Sequence, residues 1–316
     1  MAEAERSTLA QLGETAALAR IFPRLPGADA ALLGPGDDAA VLAAPDGRYV
    51  VTTDTMVHGP DFRWEFSTPE DLGWKAAATN LSDVAAMGAR PTALVVAIAA
   101  PATTPVEVLE DFADGLRLAC LALAPGCGVV GGDLATSDVF TIAVTAFGDL
   151  EGRDPVRRSG ARTGDVVAVA GELGPAGRGL ALLFAHGRAA ALGIDAHAVG
   201  RQLRPVPPIA LGPRAADAGA TAMLDLSDGL ALDARRLAQA SVADLELDPL
   251  TEEQLTGGED HGLLATFPPG ATLPDGFRAI GRVVAAAGAG RVLVGGREVT
   301  ERGGWDPYEE WDGARS

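Results

Sequence analysis

The stretch Thr68-Pro69-Glu70-Asp71-Leu72-Gly73-Trp74-Lys75-Ala76-Ala77-Ala78-Thr79-Asn80-Leu81-Ser82-Asp83-Val84-Ala85-Ala86-Met87-Gly88-Ala89 decides how the rest of the chain is read. Thr68 suits an N-cap, and Pro69 suits the first helical position, where its missing N–H is no loss. Asp71 puts an acid in the first turn, where the helix dipole favours it. The pattern predicts a helix over 69–87. The short apolar run Leu94–Ala100 that follows reads as a buried strand.

Working outward, helices and strands keep mixing. Upstream, Ala39–Leu42 and Tyr49–Thr53 flank Pro45-Asp46-Gly47. Pro fixes φ and Gly permits positive φ, so residues 39–53 read as a β-hairpin. Thr8 and Gln11 form a capping box opening one helix, with Leu9, Leu12, Ala16, Ala19 and Phe22 on one face. Downstream, Thr104-Pro105-Val106-Glu107 reads as a capping box with Pro at N1, opening a helix to about Leu123. Val129–Val130 leads into Gly131-Gly132-Asp133, and Val139–Phe147 is a strand. Asp149 to Gly164 is polar and rich in Arg and Gly, which puts the domain boundary there, as 1–148 and 149–316. Beyond it come a strand at Asp165–Ala170, a helix from about Pro175 to His186 and a strand at Thr221–Leu224. A helix to Ala240 follows, then strands at His261–Phe267, Ala279–Val284 and Arg291–Val294. The class is α/β (α+β) in two domains.

Composition sets outer limits. The chain has 316 residues, 47% of them hydrophobic, and a formal net charge of −18. That charge excludes nucleic acid as a partner, which needs a basic footprint. Its 40 Gly and 21 Pro show no triplet period, and apolar runs lie between them, so collagen and disorder are excluded. Two cysteines, Cys120 and Cys127, are too few for a disulfide framework or a four-cysteine zinc site, and read as reduced thiols. No basic-then-apolar leader opens the sequence, and no apolar run reaches membrane-spanning length without interruption. The chain therefore reads as a soluble cytoplasmic protein with no membrane partner.

The informative feature is where the acids sit. Asp37 and Asp38 follow Gly34-Pro35-Gly36, Asp54 follows Thr52-Thr53, and Asp133 follows Gly131-Gly132. Asp225 and Asp228 bracket Ser227, Glu259 and Asp260 follow Gly257-Gly258, and Asp83 lies on the helix begun at Pro69. Read as turns at strand ends, these bring together the hard oxygen donors that divalent cations prefer. Mg²⁺ takes one or two carboxylates per ion and completes its shell with water and phosphate, so scattered carboxylates suit several ions. Each motif alone is also ordinary turn chemistry. There is no P-loop and no His-Glu-x-x-His, and the Gly-x-Gly at 34–36 lacks the rest of a dinucleotide fingerprint. His58, His186, His197 and His261 are scattered and read as surface residues. Lys75 is the single lysine; it reads as a charge balance for Asp83, eight residues along, or as a solvent-facing side chain.

The ordered set of motifs resembles the thiamine-monophosphate kinases, in the superfamily of aminoimidazole ribonucleotide synthetase and selenophosphate synthetase. The segments are Gly36-Asp37-Asp38-Ala39-Ala40, Thr52-Thr53-Asp54, Trp74-Lys75-Ala76 through Asn80-Leu81-Ser82-Asp83 to Ala86-Met87-Gly88-Ala89, and Gly131-Gly132-Asp133. They continue with Arg158-Ser159-Gly160-Ala161, Asp225-Leu226-Ser227-Asp228-Gly229, Gly257-Gly258-Glu259-Asp260 and Gly304-Trp305-Asp306. The resemblance implies a two-domain PurM-like fold, a homodimer built through the N-terminal domains, and ATP-dependent, Mg²⁺-assisted phosphorylation of thiamine monophosphate. It assigns Asp37, Asp38, Thr52, Thr53, Asp54, Asp83, Asp133, Asp225 and Asp228 to metal, and Gly132, Asp133, Arg158 and Ser227 to ATP. It assigns Glu259, Trp305 and, as a replacement for a family His, Asp61 to the substrate. Beside the usual pattern, His261-Gly262 stands for Tyr-Glu, and Leu134-Ala135 for two threonines. The acceptor is already an anionic nucleophile, so no general base is expected. The competing expectations are a ligase-type member of the superfamily and a non-catalytic nucleotide or metal binder; the retained acids speak against the second.

Overall fold

The computed structural model describes residues 7–34, 39–286, 288 and 290–300. Helices α1 (Leu9–Leu12) and α2 (Glu14–Ile21) lead through a 3-10 turn at Phe22–Arg24 to the short strands β1 (Ala31–Leu33) and β2 (Val41–Leu42). The first sheet comes from β3 (Val50–Val57), β4 (Arg90–Ala100), β5 (Gly128–Thr136) and β6 (Thr141–Asp149), with α3 (Pro69–Ala86) and α4 (Val106–Leu123) between them. After Asp149 follow β7 (Val166–Ala170), α5 (Pro175–Ile194), α6 (Ala196–Leu203), α7 (Leu211–Asp217) and β8 (Ala222–Leu226). The remainder is α8 (Leu230–Ser241), β9 (Ala243–Leu247), α9 (Glu252–Thr256), β10 (Gly262–Phe267), β11 (Phe277–Ala285), β12 (Val292–Val294) and β13 (Arg297–Glu298).

The first sheet has the order β3-β6-β4-β5, antiparallel except for the parallel β4–β5 pair. Helices α3 and α4 bury one face of it in a core that includes Leu72, Leu81, Leu94, Phe112, Leu116 and Ile142. The helices approach closely because glycines meet backbone. A Cβ on Gly73 would lie 2.0 Å from the Phe112 carbonyl oxygen, and one on Gly115 2.1 Å from that of Glu70. The other face presents Thr53 and Thr55, in register with Thr145 and Ala143, and Val51 there is 60% exposed. The second sheet has seven strands among the described residues, in the order β13-β12-β9-β11-β7-β10-β8. Its two faces carry separate cores, one under α8 around Leu224, Leu237 and Leu245, the other around Met223, Phe267 and Phe277.

Helix α3 is the hinge of the architecture, and it forms as its sequence predicts. Thr68 caps it, with Asp71 reciprocating in a capping box, and Pro69 opens it. Packed on α4 and the first sheet on one side, it also touches β8 and β10 of the second. Asp71 then ties it to α5 and α6: Arg188 Nη1 approaches its Oδ2 at 2.8 Å, and Arg204 Nε donates to its Oδ1. Burial works to raise the Asp71 carboxyl, but hydrogen bonds from Arg204, Thr68 and Arg188 hold it below its ordinary value. A depressed carboxyl stabilises the fold above its unfolded value, and that stability is lost as pH falls through the folded one. Asp71→Ala is thus expected to cost about 1.5–3 kcal/mol at pH 7, from its charged hydrogen bonds. The cost should shrink below about pH 4, where the wild type loses the same contribution. Denaturant melts at pH 7 and pH 3.5 check both values.

Several local expectations give way. Residues 39–53 do not pair as a hairpin, although the turn is real, with Gly47 N–H donating to the Ala44 carbonyl at 3.0 Å. β2 pairs with β1, while β3 pairs over eight residues with β6, a longer ladder than β2 could offer. The first helix is broken at Gly13, whose φ of 76° and ψ of 161° lie outside the helical region. Thr104 does not cap α4, which starts after Pro105 without a side-chain cap. The backbone there is taken by the N-terminal segment, through Leu9 N–H to Thr104 O and Val106 N–H to Ser7 O. α5 runs past His186 to Ile194 across a kink at Gly187. Thr52–Asp54 and Gly131–Asp133 lie within β3 and β5 rather than in turns.

Candidate active site

A cavity of about 770 Å³ opens between the two halves of the chain. Its wall carries polar side chains, among them Asp54, Ser227, Asp228, Glu259 and His261, and apolar and aromatic ones, among them Phe62, Phe66, Leu183 and Phe184. Phe66 and Phe184 meet edge to face at 5.2 Å, and Arg63 stands 5.0 Å over the Phe184 ring.

Each element delivers its residues for a local reason. Thr52 and Asp54 alternate on the helix side of β3, the period-two consequence of a pleated strand. Thr52 Oγ1 donates to Asp83 Oδ2 at 2.8 Å, and Asp54 N–H donates to Asn80 Oδ1 at 3.2 Å, so β3 is laced to α3 at this row. Asp225 is the penultimate residue of β8, and Asp228 sits in the turn before α8. There Asp228 N–H donates to Asp233 Oδ2 at 3.0 Å, and Arg236 Nη1 reaches both Asp228 and Asp233 at 2.6 Å. Glu259 and His261 take positive φ, 66° and 51°, in the tight segment before β10. Glu259 N–H donates to Ser227 O at 2.7 Å and His261 N–H to Leu226 O at 2.9 Å, docking that segment on the Asp225–Asp228 turn. Asp260 points the other way and accepts from Gly174 and Ala176 N–H at 2.5 and 2.8 Å, at the start of α5.

The electrostatics single out one cluster. Burial pushes the Asp83 carboxyl up to about 7, with Asp225 and then Asp54 adding to the rise. Asp54 is raised by its low-polarity surroundings first, then by Asp225 and Asp228 against the pull of His261. Asp233 stands at about 7, again from burial reinforced by Asp228 and Asp225. Four carboxylates from β3, α3, the end of β8 and the turn after it therefore repel one another, with Arg236 against Asp228 and His261 against Asp225. His261 Nδ1 lies 3.3 Å from Asp225 Oδ2. Burial works to lower the imidazole, but Asp225 and Glu259 carry it above its ordinary value.

The donor set fits hard cations. Carboxylate and hydroxyl oxygens that strain against each other are what Mg²⁺ relieves. Among the described residues no three His, Cys, Asp or Glu side chains converge to enclose an ion.

The sequence-derived candidates are thus partly united. Asp54, Ser227, Asp228 and Glu259 line the cavity, and Thr52, Asp83 and Asp225 interact with one another or with Asp54 beside it. Asp61 also lines it, its Oδ2 accepting from Val57 N–H at 2.7 Å. Thr53 points to the opposite face of β3, where its Oγ1 meets Thr145 Oγ1 at 3.1 Å. Gly132 and Asp133 are exposed on β5, the far edge of the same sheet. Arg158 is exposed and away from the cavity, its carbonyl accepting from Ser241 Oγ at 2.8 Å. Asp37, Asp38 and Trp305 lie outside the described residues. Lys75 is neither solvent-facing nor paired with Asp83: it is 4% exposed, and its Nζ donates to Glu259 Oε2 at 2.5 Å. Glu259 is held below its ordinary value, Lys75 overcoming the effect of burial. His261 is likewise buried rather than on the surface. Residue-type reasoning also passed over Asn80 and Gln202; Asn80 at least stands inside a recognised motif.

Comparison with known proteins settles the family. Over 330 aligned residues the chain is 44% identical to the thiamine-monophosphate kinase of Mycobacterium tuberculosis, covering 98% of this chain and 95% of the relative. The chain belongs to the thiamine-monophosphate kinase family. Residues 36–150 match the family described as AIR synthase related protein, N-terminal domain. The thiamine-monophosphate kinase of Stenotrophomonas maltophilia K279a is similar in structure, with a TM-score of 0.75 and 33% identity over 89% of this chain and 96% of that one. AaThiL, solved in complex with AMPPCP and TMP, has a TM-score of 0.74 and 33% identity, over 84% of this chain and 90% of that one. These relatives span both halves of the chain.

Proposed function

We infer that the chain transfers the γ-phosphoryl group of ATP to the phosphate of thiamine monophosphate, giving thiamine diphosphate and ADP. The carrying observation is the mutually repelling carboxylate cluster beside a cavity whose wall is also aromatic. Two anionic substrates cannot approach such a cluster unaided. Asp54, Asp83, Asp225 and Asp228, with Thr52, are the residues that would hold Mg²⁺, which would supply the charge neutralisation that two phosphate substrates need.

The protein's own residues supply position rather than proton transfer. Asn80 and Thr52 fix β3 against α3, so Asp54 and Asp83 keep a set separation. The backbone bonds of Glu259 and His261 lock the substrate-side segment onto the Asp225–Asp228 turn. The acceptor phosphate carries nearly two negative charges at pH 7 and attacks without a base. Lys75, held by Glu259, keeps a buried positive charge on the cavity wall. An ATP-consuming biosynthetic reaction of this kind belongs to the cytoplasm.

The working form we propose is a homodimer. Through Val144 and Val96, Asp54 of β3 stands in the same cross-strand row as Gly132 of β5. Yet β3 and β5 are opposite edges, three strand spacings or about 14 Å apart. Seating β5 of one copy beside β3 of a second would close the edges, cover the exposed face bearing Val51, and bring Gly132-Asp133 next to Thr53-Asp54. Domain roles follow: residues 1–148 dimerise and hold metal and nucleotide, and 149–316 complete the site. The reading is tested by incubation with ATP and Mg²⁺. Thiamine monophosphate should be converted to thiamine diphosphate, while thiamine, which lacks the acceptor phosphate, should not consume ATP.

A further inference from the structure

Four basic side chains line the cavity: Arg63, Lys75, Arg178 and His261. Lys75 meets Glu259, Arg178 meets Asp195 and His261 meets Asp225. Arg63 has no carboxylate partner among the described residues; its guanidinium carbon stands 5.0 Å from the centre of the Phe184 ring. The chain itself thus seats a cation on this ring, whose negative π face attracts one.

Phe184, on α5, is 53% exposed and lines the same cavity, so a ligand there can reach it. Its surroundings are fixed from the first half of the chain. Phe66 meets it edge to face at 5.2 Å. Phe66 N–H donates to Arg63 O at 3.0 Å, and Arg188 of α5 donates to Phe66 O, so this turn and α5 are fastened together. Leu183, the residue before Phe184, packs with Phe66 in one apolar cluster. Apolar surroundings desolvate a cation held on the ring and strengthen the attraction. Of the two kinase substrates, ATP carries no organic cation. The acceptor carries a fixed one, the quaternary nitrogen of its flat thiazolium ring.

We propose that Phe184 is a specificity-determining residue of this reaction, its ring face taking the substrate thiazolium in place of the Arg63 guanidinium. Two cations do not share one face, so Arg63 competes with the substrate, and its flexible stem lets it move aside. The proposal rests on the kinase reading and adds to it the surface that selects the cationic ring.

The test compares thiamine monophosphate with a neutral analogue in which carbon replaces the quaternary ring nitrogen, a change of charge with little change of shape. Phe184→Leu keeps an apolar side chain and removes the π face. The ratio of kcat/KM between the two compounds should move about 10-fold toward the neutral one, the loss on thiamine monophosphate appearing in its KM and the KM for ATP unchanged. Phe184→Trp, with a stronger face, should move the ratio the other way. Arg63→Gln should lower the KM for thiamine monophosphate by about 3-fold, because the competitor is gone; a KM that stays or rises would overturn the proposal. A merely structural role for Phe184 would affect both compounds alike. A wild type that phosphorylates neither compound defeats the kinase reading and the proposal together. Activity on thiamine monophosphate with an unaltered ratio in both Phe184 variants defeats the proposal alone.

Discussion

Asp83→Asn is expected to lower kcat by about 10²–10³-fold, the scale at which removing one preorganised charge-stabilising group acts. The substitution keeps shape and leaves an amide oxygen to accept from Thr52, whose hydroxyl bonds Asp83 at 2.8 Å in the native chain. What it removes is the charge that Asp54 and Asp225 crowd. Stability should move the opposite way. The Asp83 carboxyl is raised from 3.8 to about 7, so its contribution to stability is present in acid and lost as pH climbs through 7. The amide does not titrate, and the metal-free variant should therefore melt higher than metal-free wild type at pH 8. Steady-state kinetics with saturating Mg²⁺ and a metal-free thermal melt check the two halves. A variant that melts lower and keeps its kcat would show that Asp83 is a structural carboxylate.

Mixing two dead enzymes should make a live one. Asp54→Asn and Asp133→Asn, each expressed alone, are expected to be nearly inactive. If β5 of one copy completes the site at β3 of the other, a mixed dimer contains one site with both native acids and one with neither. Random assembly gives mixed dimers half of the time, so co-expression should restore about a quarter of wild-type activity. The row joining Asp54 to Gly132 across the sheet is the basis for this expectation. If both acids act within one chain, no mixture can hold a complete site, and activity stays at the level of the single variants.

Parts of this architecture were legible residue by residue. Helix α3 is written in Thr68, Pro69 and Asp71, because caps are local chemistry that tertiary contacts seldom override. The strands of the two larger sheets fall before and after residues 150–165. The partners of strands were not legible. β2 abandons β3 because β6 offers a longer ladder, and nothing in residues 39–53 carries that competition. Gly131-Gly132 reads as a turn, yet the glycines serve a strand: a Cβ on Gly132 would lie 2.0 Å from the Val96 carbonyl oxygen.

The site divides the same way. Asp54 within β3, Asp83 on α3, and Asp225 and Asp228 at the end of β8 and just after it act on one another electrostatically, because α3 meets both sheets. Lys75 and His261 were misjudged because their burial is made by distant segments. Lys75 finds its partner 184 residues away in Glu259. His261 meets Asp225, 36 residues earlier, which raises its imidazole above the ordinary value. Gln202 meets Glu259, 57 residues on, and no local pattern marks that contact.

The central claim is a phosphoryl transfer from ATP to a phosphate acceptor in this cleft. Its most direct test is chromatographic product analysis of the purified protein with ATP, Mg²⁺ and thiamine monophosphate, beside Asp83→Asn as control. The account predicts thiamine diphosphate and ADP accumulating in equal amounts, with the control far slower. Folded protein that forms no thiamine diphosphate above that control would contradict it.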